Sequence, residues 1–310
     1  LLIKLKVKKM KVIKVLYICV IIFSIIFAIE IDFKDSNSNG QWDSGENLLK
    51  STKDDKFITI GGAVTEIIFD LGFGNSVIAV DQSSTFPPKV KDLPEIGYIR
   101  MISSERVLSK FPKKIFTTKD ISPKTVIGQL NESPADFKVY DSPKTIDGTL
   151  LLIDQLSAEL GVQDLGEILK NDIELDVKKI INIASSFKSK PKIVFFMNPS
   201  AGSYVAAGSG TSANYLISLI GGDNVFSKDF KSYQKVSKET IFIENPDVIL
   251  VASHNSEKSP TKHFNTLEFE ILSSVKNNNI IEISMSDLTM GTSFASNALS
   301  IINKINYESK

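Results

Sequence analysis

Phe57-Ile-Thr-Ile-Gly-Gly-Ala-Val-Thr-Glu66-Ile-Ile-Phe-Asp-Leu-Gly72 is the stretch that decides the fold. Its first four residues, Phe57–Ile60, are apolar or β-branched and end at Gly61-Gly62, which reads as a short buried strand. Ala63–Leu71 then carries apolar residues at helical spacing and stops at Gly72, the residue best suited to end a helix. Val77–Val80 is a second apolar run and a second strand. Strand, helix and strand in so short a span predict a parallel βαβ unit.

Moving outward, the alternation continues. Ser104–Phe111 reads as a helix, and Pro112 leads into a strand at Lys114–Thr117. A helix near Thr125–Asn131 and a strand at Phe137–Tyr140 follow. Residues 145–189 differ, holding two long helical patterns with no strand between them. Lys192–Met197 restarts the alternation, which runs to the C-terminus. A chain of 310 residues is long enough for about two domains. The prediction is an α/β protein of two Rossmann-like lobes with mainly parallel sheets. The N-terminal lobe spans 56–163, a long inter-lobe helix 164–190 and the C-terminal lobe 191–310.

An internal echo supports two related lobes. Glu105-Arg-Val-Leu-Ser-Lys-Phe-Pro112 runs into one predicted strand, and Glu239-Thr-Ile-Phe-Ile-Glu-Asn-Pro246 runs into another. Each glutamate opens a short helix, where a carboxylate meets the positive end of the helix dipole. First-turn capping accounts for either alone; their matched placement points to a paired surface role.

Lys4, Lys6, Lys8, Lys9, Lys11 and Lys14 precede an apolar run from Val15 to Ile29. A basic segment followed by about 15 apolar residues reads as an export signal over residues 1–28, cleaved or kept as an anchor. This places the protein in the periplasm or on the outer face of the cytoplasmic membrane. The whole chain is formally neutral, but without residues 1–28 it keeps 30 basic and 36 acidic side chains, a charge of −6. An acidic exported domain has no electrostatic footprint for nucleic acid. The single cysteine, Cys19, excludes an intrachain disulfide, and two histidines exclude a three-histidine zinc site.

Residues 29–55 form a linker containing Asp35-Ser-Asn37-Ser-Asn39-Gly40-Gln41-Trp42-Asp43-Ser-Gly45-Glu46. Asp35, Asn37, Asn39, Asp43 and Glu46 put oxygen at positions 1, 3, 5, 9 and 12 of an EF-hand loop, with Gly40 at position 6. Gln41 supplies a backbone carbonyl at position 7. The spacing predicts one structural calcium ion.

The chain resembles class III substrate-binding proteins of ABC importers, most closely their haem-binding members. The match is carried by Ile58–Gly72, by Val80-Asp81-Gln-Ser-Ser-Thr-Phe-Pro87 and by Leu93-Pro-Glu-Ile-Gly97-Tyr98-Ile-Arg100-Met-Ile-Ser-Ser-Glu105. Ala206-Ala-Gly208, Thr211-Ser-Ala-Asn and Gly221-Gly-Asp-Asn224 add to it in the second half. It covers residues 56 to 305. The resemblance implies the class III periplasmic-binding-protein fold and a monomer that holds haem between two lobes and delivers it to a membrane permease. It places the iron ligand at Tyr98, a partner of the tyrosine or of a propionate at Arg100, and permease docking at Glu105 and Glu239.

The residue chemistry is compatible. A phenol ionises near pH 10, so it binds iron as phenolate only where Fe(III) and nearby positive charge stabilise the anion. Tyrosine is a recognised axial ligand of haem. Basic residues are 34 Lys and only two Arg, Arg100 and Arg106, so arginine is kept for few positions. A second axial ligand has three candidates: His254, Tyr204 and Met197. Thr289-Met-Gly-Thr-Ser-Phe294 departs from the Gly-x-Gly-Pro-Arg-like ending of the haem binders. A corrinoid or ferric siderophore is the alternative cargo. A further alternative is an exported hydrolase, but Ser200-Ala-Gly-Ser203 and Gly208-Ser-Gly210-Thr fit neither a nucleophile elbow nor a P-loop. The expectation is a carrier rather than an enzyme.

Overall fold

The computed structural model describes residues 53–200, 203–253, 260–264 and 266–307. The export segment, the calcium-type loop and His254 lie outside the described residues.

The first half is built from β1 (Phe57–Ile60), α1 (Gly62–Ile68), β2 (Val77–Val80), α2 (Ser104–Leu108), β3 (Lys114–Thr118), α3 (Thr125–Asn131) and β4 (Asp136–Tyr140). Its four strands form one parallel sheet in the order β2-β1-β3-β4. Alternation along β1 explains why both faces are covered. Ile58 and Ile60 point into one core with Ile115 and Val126, while Phe57 points into another with Phe116 and Val64. After Ile68 the helix widens into a π-helical turn, Phe69–Phe73, in which Gly72 adopts φ 82°. That left-handed conformation, costly for other residues, ends the helix where the sequence placed its stop. Helix α2 ends at Leu108, earlier than predicted, because Phe111 turns out at φ 52° ahead of Pro112.

Two helices follow, α4 (Ile146–Leu160) and α5 (Gln163–Ser186), turning at Gly161 with φ 68°. They pack closely: a Cβ on Gly166 would stand 2.5 Å from Ser157 Oγ. The 24 residues of α5, about 36 Å of helix, lead to the second sheet.

The second half contains β5 (Lys192–Ser200), β6 (Ser203–Ala207), α6 (Ser212–Leu219), β7 (Asp223–Asn224) and β8 (Tyr233–Val236). It continues with α7 (Lys238–Glu244), β9 (Val248–Ser253), α8 (Ser273–Lys276), β10 (Ile280–Ser284) and α9 (Phe294–Ile302). The sheet order is β10-β9-β5-β6-β8, with β7 beside β5. Strands β5, β7, β9 and β10 are parallel, whereas β6 runs antiparallel to β5 and β8 runs antiparallel to β6. Ser200 pairs with Ser203 across the β5–β6 connection, which is too short for the crossover that a parallel neighbour needs. Ser200 and Ser203, considered for a hydrolase, therefore belong to the paired backbone of two antiparallel strands. The second glycine motif also has a packing reason: a Cβ on Gly208 would overlap the Phe230 carbonyl oxygen.

The C-terminal segment reaches back to the first helix. Glu66 on α1, 1% exposed, accepts a 2.6 Å hydrogen bond from the Ser293 backbone N–H and a 3.0 Å bond from Thr292 Oγ1. Thr292 also donates to Asp70. Thr149 Oγ1 on α4 donates to the Met290 carbonyl at 2.9 Å. The segment in which the sequence departs from the haem-binder ending is thus a clasp between the lobes. Among the described residues no helix is long and apolar enough to cross a membrane.

Candidate functional site: a cleft at the strand ends

The carboxyl ends of the four parallel strands of the first sheet meet at one cavity, the expected place for a ligand in an open parallel sheet. Gly61 and Gly62 follow β1, Tyr98 and Arg100 lie on the segment after β2, Thr118 ends β3 and Asp120 follows it, and Lys144 follows β4. The opposite wall comes from the second half through Thr211, Ser212, Asn214 and Tyr215 at the start of α6, with Leu288 and Met290 adding apolar surface. The cavity has a volume of ≈ 550 Å³.

Backbone geometry aims Tyr98 into this space. Gly97 adopts φ 110°, a conformation that side-chain-bearing residues avoid. Its carbonyl accepts from the Gln82 N–H at 2.8 Å, tying the loop to the end of β2. Ile96 and Ile99 on either side are buried, and the Ser122 N–H donates to the Ile99 carbonyl at 2.9 Å. The loop is therefore anchored by its apolar neighbours while Tyr98 stays 42% exposed beside Arg100. Across the cleft, the Tyr215 hydroxyl accepts the Ile146 N–H at 3.0 Å. This bond holds the α6 wall against the start of α4.

Beneath the wall, Asp81 is fully buried and accepts from the Gly61 N–H at 2.7 Å, the Ser83 N–H at 2.9 Å and the Ser84 hydroxyl at 2.7 Å. A buried carboxylate with this many donors is a rigid fixture. It sets the β1 and β2 ends that carry the glycines and the Tyr98 loop.

Tyr98 and Arg100 thus come together in the cleft. Two of the candidate second ligands do not join them, which corrects the reading of Tyr204 and Met197. Tyr204 is 4% exposed on β6, in the core on the outer face of the second sheet, with Phe196, Phe264 and Phe269. Its hydroxyl lies 2.9 Å from His263 Nε2, and burial pushes the phenol's pKa up, away from the phenolate that iron requires. Met197 is half-buried on β5, packed against the main core rather than on the cleft wall. Tyr215, Lys144 and Met290 are cleft residues that the sequence reading did not single out. Lys144 had a signal, since it follows a predicted parallel strand; Tyr215 and Met290 had none.

Glu105 and Glu239 are both exposed in the first turns of α2 and α7. Each helix is capped alike: Ser103 Oγ accepts from the Arg106 N–H, and Ser237 Oγ accepts from the Thr240 N–H at 3.2 Å. Among the described residues no group of acids, histidines and cysteines is assembled to hold a metal ion.

Comparison with known proteins agrees with this architecture. A family model described as "Periplasmic binding protein" matches residues 58–285. A vitamin B12-binding protein of Vibrio cholerae is 25% identical over 208 residues, 67% of this chain and 74% of that protein. The periplasmic haem-binding protein HutB of Vibrio cholerae superposes with TM-score 0.69 at 27% identity, covering 81% of this chain and 99% of that one. The periplasmic haem-binding protein RhuT from Roseiflexus sp. RS-1, in apo form, superposes with TM-score 0.70 at 24% identity, covering 80% of this chain and 97% of that one.

Proposed function

Since the chain belongs to the periplasmic binding protein family, a family of extracytoplasmic solute carriers of the class III architecture, we propose that its cleft captures haem and delivers it to an ABC permease. The observation that carries this reading is the exposed phenol of Tyr98 in the inter-lobe cleft, with the Arg100 guanidinium lining the same space. A phenolate is a hard anionic ligand suited to ferric iron, and an arginine fork supplies either charge for the phenolate or a bidentate grip on a carboxylate. A corrinoid is the second reading, supported by the curated relatives named for vitamin B12. Glu105 and Glu239 supply two matched carboxylates for docking on the permease. Titration with haemin and, separately, with cyanocobalamin tests the reading. Haem transport predicts a saturable change in the Soret band and no binding of the corrinoid; the opposite pattern overturns haem in favour of the second reading.

A further inference from the structure

Lys144 lies on the cavity wall between Pro143 and Thr145, just ahead of α4. Its backbone is held in place. Thr145 Oγ1 caps the helix by accepting the Gly148 N–H at 3.2 Å, and a Cβ on Gly148 would meet Pro143 Cα at 3.3 Å. The position is electrostatically unfavourable for a cation, because the start of a 15-residue helix already carries partial positive charge. Asp147 in the first turn lies beyond ion-pair distance, and among the described residues Lys144 has no ion-pair partner. Arg100, on the same cavity, has none either. Among the described residues Asp120 is the one acid lining the cavity with them, so the three side chains leave a positive excess there. An anionic solute would neutralise that charge.

We propose that Lys144 is a specificity residue that reads a carboxylate on the cargo, acting with Arg100 on a macrocycle that carries two acid side chains. This inference rests on the haem reading above and sharpens it. The haem periphery offers two propionates at the ring edge, whereas the corrin periphery of cobalamin is a ring of neutral amides and its one anion is the phosphodiester of the nucleotide loop, held away from the ring edge. Lysine suits the task as a point charge on a flexible stem, complementing the rigid fork of arginine.

The experiment compares haemin with haemin dimethyl ester, which keeps the iron and the ring but lacks the carboxylates. Wild-type protein, Lys144→Gln and Lys144→Arg are titrated with both in the same solvent. Wild type binds haemin at least about tenfold more tightly than the ester, the scale of one charge-assisted hydrogen bond. Lys144→Gln loses about tenfold in haemin affinity and leaves ester affinity unchanged, and Lys144→Arg restores haemin binding. A Lys144→Gln protein that keeps the full wild-type preference for haemin overturns the role of Lys144 and leaves the haem reading intact. Wild-type protein that binds neither porphyrin overturns both.

Discussion

Glu66 and Ser293 join distant parts of the chain: a carboxylate on α1 accepts, at 2.6 Å, the backbone N–H just ahead of α9, 227 residues away. Burial pushes the Glu66 pKa up to about 7; the bonds from Ser293 and Thr292 oppose that rise and the nearby Asp70 carboxylate adds to it. The clasp therefore titrates at a pH that a cell envelope meets.

The sign of its pH dependence follows. Below pH 4.5 the folded and unfolded chains both hold this proton. Between pH 4.5 and about 7 only the folded chain does, so rising pH lowers stability across that window, and above it the loss is constant. The magnitude is about 3 kcal/mol at most. Urea denaturation from pH 4 to 8 should show this decline in wild type and a flatter profile in Glu66→Gln. An identical slope in the variant would assign the titration elsewhere.

Gly291 packs directly on the same carboxylate, and an added Cβ would overlap Glu66 Oε2. Gly291→Ala should cost about 1–3 kcal/mol, the usual range for overpacking a tight contact. Thermal unfolding reads it out, and an unchanged midpoint would mean that the clasp has room to spare.

The paired glutamates test delivery apart from capture. Replacing Glu105 and Glu239 together by alanine should leave cargo affinity unchanged, since neither lines the cleft, and abolish uptake through the cognate permease. Uptake at the wild-type rate in the double variant removes the docking role.

The loop from Asp35 to Glu46 makes its own prediction from sequence. Calorimetry on the full chain should find one calcium ion bound, and Glu46→Ala, which deletes the bidentate ligand at position 12, should abolish it. Absence of calcium binding to wild type would reduce the segment to a polar linker.

Much of this was legible in the sequence because it is encoded locally. Phe57–Ile60 and Val77–Val80 announce themselves by composition, and Gly72 marks the helix end that its positive φ then enforces. Tyr98 and Arg100 share a wall because they are two residues apart on one loop that Gly97 turns. The opposite wall was not legible. Tyr204 is kept from the cleft because β6 turns it into the core on the other face of the second sheet, whereas Tyr215 reaches the cleft from α6, and long-range packing decides both. The clasp between Glu66 and Ser293 has no local signature at all.

The most direct test of the account is a haemin titration of wild type and Tyr98→Phe, followed by visible absorption. Wild type should give a saturable high-spin ferric spectrum with a phenolate charge-transfer band. In Tyr98→Phe that band should be lost and affinity should fall at least about tenfold, the scale of one strong charge-assisted interaction. A Tyr98→Phe protein that keeps the wild-type spectrum and affinity would contradict it.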